Sequence, residues 1–309
     1  MLETLHSEGA PYVRNNPIWS QEQCDSVAHS MGYQSTINYL GFAEHEMVDM
    51  VQKGYFCILP YSAIRHYDDL RLSHIGVVPQ KDCRPRTICD YRASGVNAAT
   101  VPLTPKEAMQ FGRAVDCLFH TILTAQRRYG LVYAMKHDIS DGYYWVFIQS
   151  LASLSLAVVL PVAPGEEPLI AIPLALPMGW SESPPYFCML TETVTDLSNQ
   201  YAASTYNAPT HHLESLASSP QDPPPDDRPI YTESHPASSS LPHHHAGLAD
   251  FDVFIDDTIG LAQGSPERLR RLRRNFLHIN DLVFRPNDSS DTDRHHGTSS
   301  QCRPHCFPW

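Results

Sequence analysis

Three aspartates in the sequence have the type and setting that metal-assisted phosphoryl transfer requires. Asp138 ends an apolar run, and Asp256 and Asp257 stand together between two further apolar runs. Carboxylates in an apolar setting repel one another and resist desolvation, so they are costly unless a cation joins them. Ligand sets made only of acidic oxygens suit Mg²⁺, and two such ions can hold the attacking and leaving oxygens of the transfer.

Each acidic feature also has an ordinary structural explanation when it is taken alone. An Asp-Asp pair in a loop often just makes a turn, and Asp138 could simply end a strand. The tail contains other residues that could ligate a metal, namely His295, His296, Cys302, His305 and Cys306. They are numerous enough for a zinc site, but their spacing is not that of a zinc finger. The metal-site interpretation therefore depends on the segments that carry the aspartates.

The segments around the aspartates predict a small antiparallel sheet backed by a helix. Residues 131–138 read as a strand, and residues 250–255 and 258–262 read as a hairpin with both aspartates at its turn. Residues 264–267 form a cap for the helix that follows. Its apolar stripe is Leu269, Leu272, Phe276 and Ile279, and its other faces carry Arg268, Arg270, Arg271, Arg273 and Arg274.

The rest of the chain predicts a mixture of helices and strands, so the expected fold class is α+β. Thr104, Pro105 and Glu107 form a capping box and predict a helix that runs to about Arg128. Further predicted elements are a helix over 41–55, a strand-turn-strand over 73–92, strands over 154–162 and 168–174, and a helix over 183–199.

Composition divides the chain into a helical N-terminal segment over 1–60, a central domain over 61–286 and a patternless tail over 287–309. Within the central domain, residues 200–248 are dense in Pro, Ser, Ala, His and Asp, which predicts a low-complexity surface insertion. The tail loses all pattern, which would fit a shift of reading frame in the gene.

Net charge and apolar content limit the classes of protein that the chain can be. Of its 309 residues 42% are hydrophobic, which is ordinary for a packed protein. The formal net charge of −12 argues mildly against a nucleic-acid binder, although a local basic surface can sit on an acidic protein. No apolar run reaches the roughly 20 residues of a membrane span, and residues 1–14 contain no signal peptide. We therefore expect an intracellular chain with reduced cysteines and no membrane partner.

Four blocks of the sequence resemble those of reverse transcriptases from retroelements, and they occur in the family's order. Residues 77–92 resemble the fingers hairpin, and residues 136–144 resemble the palm motif with the first catalytic aspartate. Residues 176–187 begin Leu-Pro-Met-Gly-Trp, which resembles the family's LP-x-G motif, and residues 254–257, Phe-Ile-Asp-Asp, resemble its (Y/F)-x-D-D box. The likeness covers roughly residues 65–286 and fits an LTR-type element best.

The resemblance implies a fingers-and-palm fold, with a metal site in the palm. Asp138 and Asp256 would hold two Mg²⁺ ions, with Mn²⁺ as a substitute, and Asp257 would complete the acidic set. The main-chain carbonyl of Ile139 would add a ligand. The reaction implied is RNA-directed DNA polymerisation, in which a primer 3′-hydroxyl attacks the α-phosphate of a dNTP on a template-primer duplex.

The resemblance also implies a nucleotide-binding set outside the metal ligands. Lys81 and Arg86 would lie over the incoming triphosphate, and Tyr143 would lie under the sugar and exclude a 2′-hydroxyl. Asp141 and Gly142 would offer backbone groups near the sugar and phosphates. Met178 stands where many retroviral enzymes have Gln, which weakens the expected polar contact, and Gly179 would permit close backbone approach.

Two alternatives to an active polymerase stay open. The family's thumb and RNase H regions follow the palm, and this sequence ends before them, so the chain could be a catalytically inactive remnant. From another class, it could be a non-enzymatic binding protein that uses the His/Cys tail to hold a metal.

Overall fold

The protein, described from a computed structural model, is an α+β chain, as the sequence predicted. The structure describes residues 2–81, 83–104, 114–163, 165–216 and 247–284. The chain forms two compact units, one of Met1–Lys106 with Asp141–Phe187 and one of Glu107–Ser140 with Cys188–Trp309. The predicted domain boundaries at residues 60 and 286 stay predictions.

Ten helices and eight strands are formed by the described residues. The helices are α1 (Leu2–Ser7), α2 (Gln21–Ala28), α3 (Gln34–Asn38), α4 (Leu40–Gln52), α5 (Tyr61–Ile64), α6 (Val96–Ala99), α7 (Ala114–Thr124), α8 (Ser150–Ser155), α9 (Ser183–Ala202) and α10 (Pro266–Phe284). The strands are β1 (Phe56–Pro60), β2 (Leu72–Gln80), β3 (Cys83–Cys89), β4 (Val132–Asp138), β5 (Ala157–Val159), β6 (Leu169–Pro173), β7 (Ala249–Phe254) and β8 (Asp257–Gln263).

A five-stranded mixed sheet organises the first unit. Its strand order is β1-β6-β5-β2-β3, in which β2 and β5 are parallel and the other pairs are antiparallel. Leu70, Leu72, Ala157 and Ile170 are buried at the centre of its core. The predicted strand-turn-strand over 73–92 is the β2–β3 hairpin of this sheet.

One prediction for the first unit needs correction. The apolar run 154–162 was predicted to be one strand, but its start belongs to helix α8 and only Ala157–Val159 is a strand. Short apolar runs suit a buried helix turn as well as a buried strand, so their pattern did not separate the two. Residues 1–60, predicted to be mainly helical, contain helices α1 to α4, and their last five residues, Phe56–Pro60, form β1 and pair with β6.

A three-stranded antiparallel sheet organises the second unit. Its strand order is β4-β8-β7, and β7 and β8 form the hairpin predicted around the two aspartates. Helix α10 packs on this sheet through the predicted stripe, since Leu269, Leu272, Phe276 and Ile279 are all buried. The predicted helix from Thr104 is observed from Ala114 to Thr124, and residues 105–113 lie outside the described part of the chain.

The start of the predicted insertion over 200–248 is folded in the second unit. Asn275 of α10 accepts a hydrogen bond from the Ala208 amide and donates one to the Tyr206 carbonyl. His211 is buried, and its Nε2 lies 2.8 Å from Asp281 Oδ2. Residues 217–246 and the tail over 287–309 lie outside the described part. Within the described ranges, no helix is long and apolar enough to cross a membrane.

Candidate functional site

The three-stranded sheet has one face buried against α10, and its opposite face, called the open face below, is exposed at the end that carries Asp138 and covered by helices further along. On the buried face, the His137 ring stacks on Phe276 of α10 with centroids 4.3 Å apart, and Phe251 stacks on the same ring at 5.4 Å. Burial, aided by the positive charge of Arg273, lowers the pKa of His137 to about 4, so this side chain is neutral at pH 7. Since side chains alternate along a strand, the neighbours of these residues point to the open face.

The open face brings together the aspartates that the sequence analysis selected. Asp138 at the end of β4 lies directly opposite Asp257 at the start of β8. Cross-strand partners have Cβ atoms about 4.5–5.5 Å apart, which puts the two carboxylates within reach of one cation. Asp256 precedes Asp257 at the turn and is exposed. All three belong to the second unit.

The hairpin that presents Asp256 has a strained connection. Phe254 pairs with Asp257, so only Ile255 and Asp256 join β7 to β8. Ile255 has φ of 61°, and positive φ at the first position alone is the type II′ arrangement that matches strand twist. Glycine is the usual residue there, and a β-branched side chain costs on the order of 1–3 kcal/mol. The fold therefore holds Asp256 at the tip of a tight turn despite an unfavourable residue.

The pKa of Asp138 reflects both burial and repulsion by the neighbouring carboxylates. Burial raises the pKa of Asp138, and the charges of Asp256 and Asp257 raise it further, while Lys136 acts in the opposite sense. Lys136 Nζ lies 2.8 Å from Asp257 Oδ1. Hydrogen bonding to Asp257 is the largest cause of a raised pKa for Lys136. One lysine thus partly offsets three negative charges on this face.

The donors on the open face fit a hard divalent cation. All three side chains are carboxylates, and oxygen ligands are those that Mg²⁺ takes. Among the described residues, no group of three or more His, Cys, Asp or Glu side chains stands in a ready metal-binding arrangement. Asp257 makes an ion pair with Lys136, so a cation would have to compete with this ammonium group. The residues fit Mg²⁺ by type and by register, with Lys136 as the group to be displaced.

The sequence analysis missed a second set of acidic side chains on the same sheet. Asp252 lies on β7 on the same face as Asp257, and burial followed by the charge of Asp250 raises the pKa of Asp252. Burial, then Asp252 and Asp196, raises the pKa of Glu192 on α9. The Asp-x-Asp alternation of Asp250 and Asp252 was the available signal, because residues two apart on a strand share a face.

Helix α9 protects the free edge of this sheet at β7. The side-chain amide of Asn199 donates to the Phe251 carbonyl at 2.9 Å, and its oxygen accepts from the Phe251 amide at 2.7 Å. Thr121 of α7 donates to Asp250 at 3.0 Å. The strand that leads into the Asp-Asp turn is therefore fixed by side chains on the side that lacks a strand partner.

The predicted nucleotide contacts lie in the first unit. Arg86 is on β3 opposite Val78 of β2, and Lys81 is at the connection of the hairpin. Both side chains are exposed. The hairpin therefore presents at least these two cationic side chains to solvent.

The residues after Asp138 form a close-packed turn in the first unit. Asp141 has φ of 56°, and its Oδ2 accepts from Lys53 Nζ at 3.0 Å. A Cβ on Gly142 would meet Phe187 Cζ at 2.6 Å. The Tyr143 ring lies edge-on to Phe187 with centroids 5.1 Å apart. The Phe187 ring thus leaves room only for a hydrogen atom at position 142, which explains the glycine there, and it packs against the ring of the next residue, Tyr143.

The Leu-Pro-Met-Gly-Trp segment is fixed to the end of β3. The Met178 carbonyl accepts from the Cys89 amide at 3.3 Å, and Gly179 has φ of 110°. A Cβ on Gly179 would lie 2.2 Å from the Cys89 carbonyl oxygen, so only glycine fits. Asn97 Nδ2 donates to the Gly179 carbonyl at 2.9 Å. Met178 is half-buried, and Gly179 is exposed.

Comparison of the chain with models of known protein families finds no match, and comparison with curated proteins finds none. The functional assignment therefore depends on the residues and on the geometry of each unit. In the second unit the structure brings Asp138, Asp256 and Asp257 together, with Ile139 next in the chain. The tail with Cys302 and Cys306, proposed for zinc, lies outside the described residues.

Proposed function

We propose that the chain is the fingers-and-palm part of a reverse transcriptase, an RNA-directed DNA polymerase of an LTR-type retroelement. The observation that supports the proposal most is the cross-strand pairing of Asp138 with Asp257, next to Asp256 on the open face of a helix-backed sheet. These three residues come from two of the four blocks that resemble the family, and they lie far apart in the sequence.

In the proposed reaction the carboxylates of the open face would hold two Mg²⁺ ions. When bound, these ions would offset negative charge at the transferred phosphoryl group and orient the attacking and leaving oxygens. Asp138 and Asp256 would be the main ligands, Asp257 would complete the acidic set and the Ile139 carbonyl would be a further donor. Lys136 keeps Asp257 paired until a stronger cation replaces it.

The residues of the first unit are proposed to bind the nucleotide and its partner strand. Lys81 and Arg86 are exposed cations suited to a triphosphate, where they stabilise charge without moving a proton. Tyr143, held by Phe187, supports the sugar and excludes ribonucleotides. Gly179, which has φ of 110°, would let the backbone approach the substrate closely. The partners are an RNA or DNA template with its primer and a dNTP.

Primer extension on the purified chain with Mg²⁺ tests the proposal. Asp256→Asn and Asp138→Asn should each reduce extension by roughly 1,000-fold, because several kcal/mol of charge stabilisation depend on these ligands. Asp68→Asn, an exposed aspartate of the first unit, is the matched control and should retain activity. Extension that is equal in the parent and in Asp256→Asn would overturn the proposal.

A chain that extends no primer would instead be the inactive remnant. A Mg²⁺-dependent rise in thermal stability that Asp256→Asn abolishes would then show that the metal site persists without the reaction. Absence of both extension and Mg²⁺ stabilisation would remove the polymerase assignment.

A further inference from the structure

Helix α10 concentrates positive charge on an otherwise acidic protein. Between residues 268 and 274 five of seven positions are arginine, although the whole chain carries a net charge of −12. The helix begins at Pro266, and the Arg268 amide donates to Ser265 Oγ at 3.2 Å. The amino-terminal end of a helix is positive, so cations in its first turns are unfavourable. Arg268, in the first turn, therefore lies where the backbone disfavours a cation.

The arginines also repel one another. Arg268 and Arg271 are three positions apart, and Arg270 is spaced three from Arg273 and four from Arg274. Like charges at these spacings each destabilise a helix by about 0.2–0.5 kcal/mol. Burial lowers the pKa of Arg268, and the charge of Arg271 adds to this effect. The local sequence is thus electrostatically strained.

One of the five arginines is neutralised within the described residues. Arg274 makes a two-pronged contact with Glu214, with Nε to Oε1 at 2.5 Å and Nη2 to Oε2 at 2.9 Å. By contrast, the Nε atoms of Arg268, Arg271 and Arg273 are shielded from solvent and have no hydrogen-bond partner in the described part of the chain. The shielded Nε donors are out of reach of an outside group, so an external acceptor would bind the Nη groups of these partly exposed side chains.

We propose that Arg268, Arg270, Arg271 and Arg273, the α10 arginine patch, bind the phosphate backbone of a nucleic acid. These side chains span about 7.5 Å of the helix axis, and Arg270 and Arg271 are adjacent positions away from the buried stripe, so these two can meet neighbouring phosphates of one strand, with Arg268 and Arg273 on the two flanks of the stripe. Arginine suits this role because its planar fork pairs with phosphate oxygens. The patch belongs to the helix that covers the buried face of the sheet, whereas the aspartates are on the open face. It is therefore a second nucleic-acid contact that requires neither the metal nor the polymerase reaction.

Binding of a fluorescein-labelled single-stranded oligonucleotide, measured by anisotropy in EDTA at several salt concentrations, tests the patch. The variant Arg270→Gln/Arg271→Gln should bind roughly tenfold more weakly, and the slope of log affinity against log salt should fall in magnitude by about 1–1.5. The matched control Arg65→Gln/Arg128→Gln removes the same charge from exposed positions outside the patch and outside the predicted fingers hairpin, and it should bind as the parent does.

Two further measurements separate phosphate binding by the patch from the polymerase reaction and from a loss of folding. Asp256→Asn should bind the oligonucleotide as the parent does, so loss of polymerase activity and loss of patch binding are distinguishable. The two Gln substitutions should not lower the melting temperature, because they remove repulsion within the helix. Equal weakening by both double variants would overturn the proposal. Displacement of the oligonucleotide by poly-glutamate at equal charge would overturn it in favour of an acidic peptide.

Discussion

Asp138 and Asp257 face each other across the β4–β8 ladder, with Lys136 in an ion pair with the second of them. A ladder fixes this relationship, because a slip of one residue would turn Asp138 towards the buried face where His137 lies against Phe276. The register therefore controls whether the carboxylates can meet. The predictions below start from this arrangement.

Asp138→Asn should stabilise the metal-free protein at neutral pH. The pKa of Asp138 is raised in the folded chain, so ionisation of this group opposes folding. The free energy of unfolding therefore falls as pH rises from 3.8, the ordinary pKa of the carboxyl group, through the raised pKa of folded Asp138. It stays lower at all higher pH values. Melting temperatures in EDTA should therefore be higher for Asp138→Asn than for the parent at pH 7 and converge below pH 3.8. A variant that melts lower at pH 7 would contradict this. Asp68→Asn serves as the control.

Lys136→Gln should strengthen Mg²⁺ binding. The ammonium group competes with any cation for Asp257, and both side chains are partly exposed, so the pair contributes no more than ~1 kcal/mol. Mg²⁺ titrations followed by thermal shift should give a dissociation constant lower by roughly fivefold. Lys136→Arg keeps the charge and should bind Mg²⁺ as the parent does. Weaker binding by Lys136→Gln would show instead that the lysine positions Asp257 for the metal.

Gly179→Ala should destabilise the protein far more than a matched glycine substitution. The alanine would have to keep the positive φ of Gly179, and its Cβ would collide with the Cys89 carbonyl oxygen. The two effects together should lower the free energy of unfolding by ~3 kcal/mol or more. Gly54 has φ of 76° with open space around it, so Gly54→Ala should cost only about 1–2 kcal/mol. Chemical denaturation measures both free energies of unfolding. Equal values for the two variants would show that the segment around Gly179 moves away from β3 at little cost.

Tyr143→Ala should relax the choice between deoxyribonucleotides and ribonucleotides, if the chain polymerises as proposed. Removing the ring leaves a space where a 2′-hydroxyl fits, so selectivity should fall by about tenfold or more. Tyr143→Phe keeps the edge-on contact with Phe187 and should keep the selectivity. The measurement is the ratio of incorporation efficiencies for a dNTP and its rNTP. An unchanged ratio in Tyr143→Ala would assign the ring to packing against Phe187.

The sequence predicted the second unit well, because its signals are local. A seven-residue strand ending in Asp138, two strands joined by a tight turn and a capped helix with a 3.6-residue stripe each show within a short window. The ends of the three strands were therefore predicted to within one residue. The stripe Leu269, Leu272, Phe276 and Ile279 is buried as predicted.

The sequence did not predict the relationships between distant segments. Pairing of β1 with β6 and parallel pairing of β2 with β5 join segments more than 80 positions apart, and no local pattern encodes such partners. The Lys136–Asp257 ion pair was missed for the same reason, since it depends on the ladder register. Asp252 and Glu192 were missed because their raised pKa values come from burial between β7 and α9.

The side-chain amide of Asn199 limits the ability of strand β7 to pair with a strand of a second chain. Unpaired backbone groups on an outer strand are templates on which a second chain can add a strand and start aggregation. At Phe251 both of these groups are already occupied by one side chain, so an incoming strand would have to break two hydrogen bonds before it gained any. Helix α9 thus blocks strand addition at Phe251 of β7, and this protection depends on the helix remaining folded.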